Sequence, residues 1–146
     1  MFRIEDVPQA DDVRKIILTI QAVENGSRTY TDIAEAIGHL TERQGRYYRK
    51  AAEILGFIKN KNNYSELTRQ GQTFVDAGCP ERMLKDAMLA TPVINRLLSF
   101  RQSLGRLMNK DDIEGFLFNA IGRDEESNTD NRRSQTLIEW LNFIEK

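Results

Sequence analysis

Arg43, Arg46 and Lys50 recur at spacings of three and four in the run TERQGRYYRKAAEIL, from Thr41 to Leu55. On a helix that spacing gathers them on one side. Gln44 and Arg49 flank the stripe, and Tyr47 stands beside it. Guanidinium and amide groups make bidentate hydrogen bonds to guanine and adenine edges in the DNA major groove. Lysine ammonium groups and tyrosine hydroxyls hold phosphates. Tyr48, Ala51, Ala52 and Leu55 fall on the opposite, apolar side. The pattern predicts an amphipathic helix with its basic side outward, suited to a duplex.

A basic helix face standing alone is more often plain solvated surface, so the flanking elements decide its meaning. Asp11 or Asp12 is placed to cap a first helix, because a carboxylate there accepts the orphan N–H groups. Val13, Ile16, Ile17, Ile20 and Val23 carry that helix to a stop at Asn25-Gly26. Residues 1–10 read as a short arm. Thr31 is the expected cap of a second, short helix holding Ile33, Ala34, Ala36 and Ile37, which Gly38 ends. Thr41 caps the third helix, and Gln44 three residues on makes a capping box. The Thr41 end also offers N–H groups to a phosphate, and Gly45 lets a sugar-phosphate strand approach the backbone. Gly56 supplies a left-handed exit.

Phe57-Ile58 begins a strand, Lys59 to Asn63 is a polar turn, and Tyr64 to Thr68 returns. Lys59, Lys61, Asn62 and Asn63 at this tip suit phosphates or the minor groove, and equally suit an ordinary turn. Arg28 and Thr29, ahead of the second helix, occupy typical phosphate positions. Helix, tight turn, basic helix and hairpin is the order of a winged helix-turn-helix.

Beyond Thr68 the pattern is helical throughout. Thr68 caps a helix that Gly78 ends, and another runs from Glu81 to about Ala90. Thr91-Pro92 restarts the chain, Asn109 or Asp111 caps the next helix, and Gly122 stops it. RDEESNTDN, from Arg123, reads as loop. The last helix holds Leu137, Trp140, Leu141 and Ile144. Its sequence RRSQTLIEWLNFI rhymes with RYYRKAAEILGFI, setting Arg132 against Arg46 and Asn142 against Gly56. The fold class expected is thus mainly α with a small β-hairpin. It reads as two helix-turn-helix units in tandem, residues 1–78 with the wing near 57–68 and residues 79–146, or as helices that rhyme by chance. Asn131, Arg132, Arg133 and Gln135, with Thr129 at the helix start, would then be second-unit DNA contacts, or a solvated surface pairing with Asp124 to Glu126.

The whole chain limits what this face can be. It has 146 residues and a formal net charge of -1, so a general polycation that coats nucleic acid is not expected. With one cysteine, Cys79, and one histidine, His39, neither a disulfide nor a four-ligand zinc site can be assembled from the chain's own residues. No run approaches about 18 apolar residues, the length of a membrane span. A soluble, cytoplasmic protein is expected, with no membrane partner and no cofactor. Asp11-Asp12 and Asp111-Asp112 read as helix caps rather than metal ligands. Cys79 before Pro80 reads as structural. No catalytic constellation is legible, so the chain is not expected to be an enzyme by itself.

The stretch LTERQGRYYRKAAEILGFI, followed by SELTRQGQTFV and closed by RRSQTLIEWLNFI, resembles winged-helix DNA-recognition modules associated with bacterial type II restriction endonucleases. The resemblance spans most of the chain. It implies a sequence-specific reader of double-stranded DNA that serves a nuclease domain or subunit. A free-standing transcription regulator, and a winged-helix module that docks protein, are the alternatives.

Overall fold

The computed structural model describes residues 2–121 and 128–146, without the side chains of residues 128–130. The expected stop at Gly122 and the acidic run Asp124 to Glu126 lie outside the described residues. The protein is mainly helical with one small antiparallel hairpin. Helices α1 (Val13–Glu24), α2 (Tyr30–Ala36) and α3 (Glu42–Ile54) precede strands β1 (Ile58–Lys61) and β2 (Tyr64–Leu67). Then come α4 (Arg69–Asp76), α5 (Glu81–Ala90), α6 (Pro92–Leu104), α7 (Lys110–Ile121) and α8 (Asn128–Glu145).

Side chains on the caps set most boundaries. Asp12 accepts from the N–H groups of Arg14 and Lys15 at the start of α1. Thr41 and Gln44 form the expected reciprocal box on α3, and Thr68 caps α4. For α2 the cap is Thr29 instead of Thr31. Thr29 pairs reciprocally with Asp32 three residues on, whereas Thr31 has Ala34 there and no returning acceptor. Gly56 takes φ +85° after α3, a conformation costly for any side chain.

The turn is shorter than expected. Lys59 to Lys61 are paired strand residues, and only Asn62 and Asn63 turn the chain, with φ of 50° and 61°. Two left-handed residues make a turn whose twist matches the strands it joins. Ser65, fully buried, donates its N–H to the Arg28 carbonyl at 2.8 Å and ties the hairpin to the α1–α2 loop.

Close contacts fix the helices around the hairpin. A Cβ on Gly45 would lie 2.3 Å from the Tyr30 carbonyl oxygen and 2.9 Å from Ala34 Cβ. This glycine is therefore buried where α3 crosses α2, and the expectation that it admits a sugar-phosphate strand is corrected. A Cβ on Gly71 would fall 1.9 Å from the Phe57 carbonyl oxygen, so α4 also depends on a bare backbone. Phe57 and Phe74 stack beside it with centroids 4.6 Å apart.

The buried residues of both halves form one cluster, from Ile16 and Phe74 to Leu84, Leu97, Leu117 and Trp140. The N-terminal segment, expected as a short arm, is seated in it. Val7 and Ala10 are buried. The Phe2 N–H donates to the Ala120 carbonyl, and Trp140 Nε1 donates to the Ala10 carbonyl, each at 2.9 Å. Residues 128–131, expected in a loop, open α8. Asn142 lies inside that same helix, with Phe143 buried beside it, so its pairing with the left-handed Gly56 fails.

Candidate nucleic-acid interface

The outer side of α3 is built from arginines set against tyrosines. The Arg43 Nε donates to the Tyr47 hydroxyl at 2.7 Å, one helical turn along. The Arg46 Nη2 donates to the Tyr30 hydroxyl at 2.9 Å, and the Arg46 guanidinium carbon lies 4.3 Å from that ring's centroid. Arg49 approaches the same ring at 5.2 Å. Arg132, from α8, lies 5.0 Å from the Tyr47 ring. The α2–α3 crossing at Gly45 places Tyr30 under α3, and the packing of α8 brings Arg132 alongside it.

The hairpin tip joins this group through Asn63. Its amide oxygen accepts from the Tyr30 N–H at 3.1 Å and from Arg49 Nη1. One surface thus runs from Arg132 through Tyr47 and Arg43 to Arg46, Tyr30, Arg49 and Asn63. Among the described residues none of these arginines makes an ion pair. Glu42 and Glu53 are felt only at a distance. The Tyr30 hydrogen bond raises the Arg46 pKa and burial lowers that of Arg49, yet arginine stays charged through such shifts.

The other expected contacts are distributed unevenly. Thr41 and Gln44 spend two N–H groups on their own box, at 3.4 and 3.2 Å, so less of this helix start is open to a phosphate. Lys50 is exposed and pairs with Glu53 at 3.0 Å. Lys59 faces Glu66 across the strands at 3.7 Å. Lys61 and Asn62 are exposed at the tip. Thr29 is occupied as the cap of α2, where the N–H groups of Arg28 and Thr29 hold the Asp32 carboxyl below its ordinary range.

Arg28 turns inward: its Nη1 donates to the carbonyls of Val23 and Ser65, at 2.9 and 3.2 Å. Arg133 is 5% exposed and its Nε donates to the Ile4 carbonyl at 3.2 Å, so it anchors the N-terminal segment and does not face a duplex. Its spacing to Leu137, Trp140 and Leu141 was the signal that it lies on the inner side of α8. Asn131 and Gln135 are exposed, and Gln135 donates to Glu139 at 2.8 Å. The Thr129 side chain lies outside the described residues. Sequence reasoning missed Tyr30. It opens α2, and only the α2–α3 crossing brings its ring to Arg46 and Arg49.

The acidic pairs serve local structure. Asp12 caps α1 and pairs with Lys15 at 3.2 Å. Asp112 is held at about 2 by the Arg106 guanidinium and then by the Asn109 N–H. Cys79 is half-buried beside Gln21, and burial pushes its thiol up, away from a reactive thiolate. Among the described residues no His, Cys, Asp and Glu side chains group closely enough to hold a metal ion. No described helix is long and apolar enough to cross a membrane.

No curated protein and no solved structure matches the chain. A family described as a domain of unknown function, DUF7226, matches residues 14–146, and the chain belongs to that family.

Proposed function

We propose that this chain binds double-stranded DNA through the face formed by α3, the hairpin tip and the start of α8. The observation that carries the reading is the company its arginines keep. Arg43, Arg46, Arg49 and Arg132 are held by phenol rings and one amide, with no carboxylate in ion-pair contact among the described residues. Such arginines are positioned but keep their charge for a partner, and phosphates are the partner that a cluster of uncompensated cations attracts most strongly. A net charge of -1 is no obstacle, since attraction depends on the local field of a face.

The order α1, α2, α3, β1, β2 suits a winged helix-turn-helix, with α3 entering the major groove and the hairpin as its wing. On this reading α7 and α8 form a second helix pair that lends Arg132 to the same face and does not read a separate half-site. The resemblance to restriction-associated modules supports a target reader that serves a nuclease domain or subunit and does not itself cut DNA.

The test is selection from a random duplex pool by the purified protein, followed by binding titrations in rising salt. The reading expects an enriched motif, and a log–log salt slope of about -0.9 for each phosphate neutralised. No retention of any duplex at about 50 mM salt, where phosphate contacts are strong, would reject it in favour of a protein-docking module.

A further inference from the structure

We infer that the arginines of this face divide the work: Arg43 reads a guanine, while Arg46 and Arg49 hold the sugar-phosphate backbone. The inference rests on the DNA-binding reading above and assigns roles within it.

It follows from which guanidinium nitrogens are already engaged. Arg43 gives its Nε to the Tyr47 hydroxyl. Its two terminal nitrogens make no hydrogen bond among the described residues, and they form an end-on fork. That fork matches the O6 and N7 acceptors that guanine presents in the major groove. Arg46 has instead given Nη2 to Tyr30, and Arg49 has given Nη1 to Asn63. In each, one terminal nitrogen is tethered, so the end-on fork is less free to turn both nitrogens to one base edge. The N–H groups that remain suit phosphate oxygens, which accept from many directions and carry no base identity.

Position along α3 agrees. Arg43 lies in the first turn, and the N-terminal residues of a groove-bound helix are those that reach base edges. Arg49 lies towards the hairpin, bonded to its tip. Tyr47 becomes a positioning residue. It fixes Arg43 through Nε, with Arg132 against its ring. An arginine fixed in advance loses less rotamer freedom on binding.

The experiment uses the duplex enriched in the pool selection. Wild type, Arg43→Ala, Arg46→Ala and Tyr47→Phe are titrated by fluorescence anisotropy against it and against a scrambled duplex. They are also titrated against copies in which each guanine in turn is replaced by 7-deazaguanine, which lacks the N7 acceptor. One guanine is expected at which that replacement weakens wild type by about tenfold or more. The penalty should vanish in Arg43→Ala and persist in Arg46→Ala, because an interaction already lost cannot be lost again. Arg46→Ala should weaken enriched and scrambled duplexes by the same factor. Tyr47→Phe should shrink the penalty, because Arg43 is then no longer fixed through its Nε. A penalty that survives Arg43→Ala, or that disappears in Arg46→Ala, overturns the assignment while leaving DNA binding intact. Wild type that binds no duplex at low salt overturns the DNA-binding reading, and this division of labour with it.

Discussion

On α3, Arg46 rests on a phenol; in the loop between α6 and α7, Arg106 rests in a carboxylate. The Arg46 guanidinium lies 4.3 Å from the Tyr30 ring. Arg106 makes two parallel bonds to Asp112, at 2.7 and 3.0 Å. Arg101 is likewise matched by Glu145, and Lys146 lies 3.4 Å from Glu81. Aromatic rings are present in both regions, since Phe100 and Phe116 pack at 5.5 Å in the C-terminal half. What faces the guanidinium differs between Arg46 on the one side and Arg101 and Arg106 on the other. A carboxylate both orients a guanidinium and cancels its field, whereas a phenol orients it and leaves most of the field in place. A count of arginines therefore says little about a binding surface; their partners say more.

The widest separation between the two regions should come from removing charge in each. Replacing Arg43, Arg46 and Arg132 together by Ala is expected to weaken duplex binding by about a hundredfold or more. Its salt dependence should flatten by about 0.9 for each phosphate no longer neutralised. Replacing Arg101 and Arg106 by Ala should leave both unchanged. Equal losses in the two variants, measured by anisotropy, would erase the distinction.

The inner side of α3 offers a second contrast, with Tyr48 next to Tyr47. Tyr48 is 5% exposed, and its hydroxyl accepts from the Asp12 N–H at 3.2 Å. Burial, foremost, pushes its pKa up to about 12. The folded state thus keeps the proton that the unfolded chain releases near pH 10. This contribution is complete below about pH 10 and is lost as pH rises through about 12, for a total of about 2–3 kcal/mol. Denaturant unfolding at stepped alkaline pH should show that slope in wild type and its loss in Tyr48→Phe.

Tyr47→Glu would give α3 the kind of partner that the C-terminal half uses. Duplex affinity is expected to fall by about tenfold or more, because the new carboxylate both neutralises Arg43 and repels phosphate. Unchanged affinity would mean that Tyr47 stands away from the contact surface.

The gentlest probes are two glycines in helices. Gly45→Ala should destabilise the protein by about 1–3 kcal/mol, since its Cβ would overlap the α2 backbone. On α7, a Cβ added to Gly115 would meet nothing within 4 Å. Gly115→Ala should therefore add about 0.5–1 kcal/mol of stability. Thermal melts of the pair would separate a packing glycine from a dispensable one.

The helices, the hairpin and most caps were legible because local chemistry sets them: Asp12, the Thr41–Gln44 box, Thr68 and Gly56 each act within a few residues of their own position. The Thr29 cap also has a local signal, the return acceptor Asp32 three residues on, which Thr31 lacks. Arg133 carries the charge of a surface contact, but its spacing to Leu137 and Trp140 puts it on the inner side of α8. The pairing of Tyr30 with Arg46 and Arg49 had no local signal. It depends on the angle at which α2 meets α3, which a bare residue at Gly45 permits but does not announce. The same holds for Arg132, which reaches Tyr47 only through the packing of the last helix.

The bond from Trp140 to the Ala10 carbonyl joins residues 130 positions apart. During synthesis, α1 to α3 and the hairpin can form from neighbouring sequence. Val7 and Ala10 cannot reach their final seat until α8 has emerged to meet them. Closing so long a span costs more chain entropy than the local contacts do, and until it is closed part of the core is open to chaperones and to wrong partners. Trp140 is the chain's one tryptophan and is fully buried. Its fluorescence would therefore report the seating of α8 in the core, and is expected to lag behind the helical signal as the protein refolds.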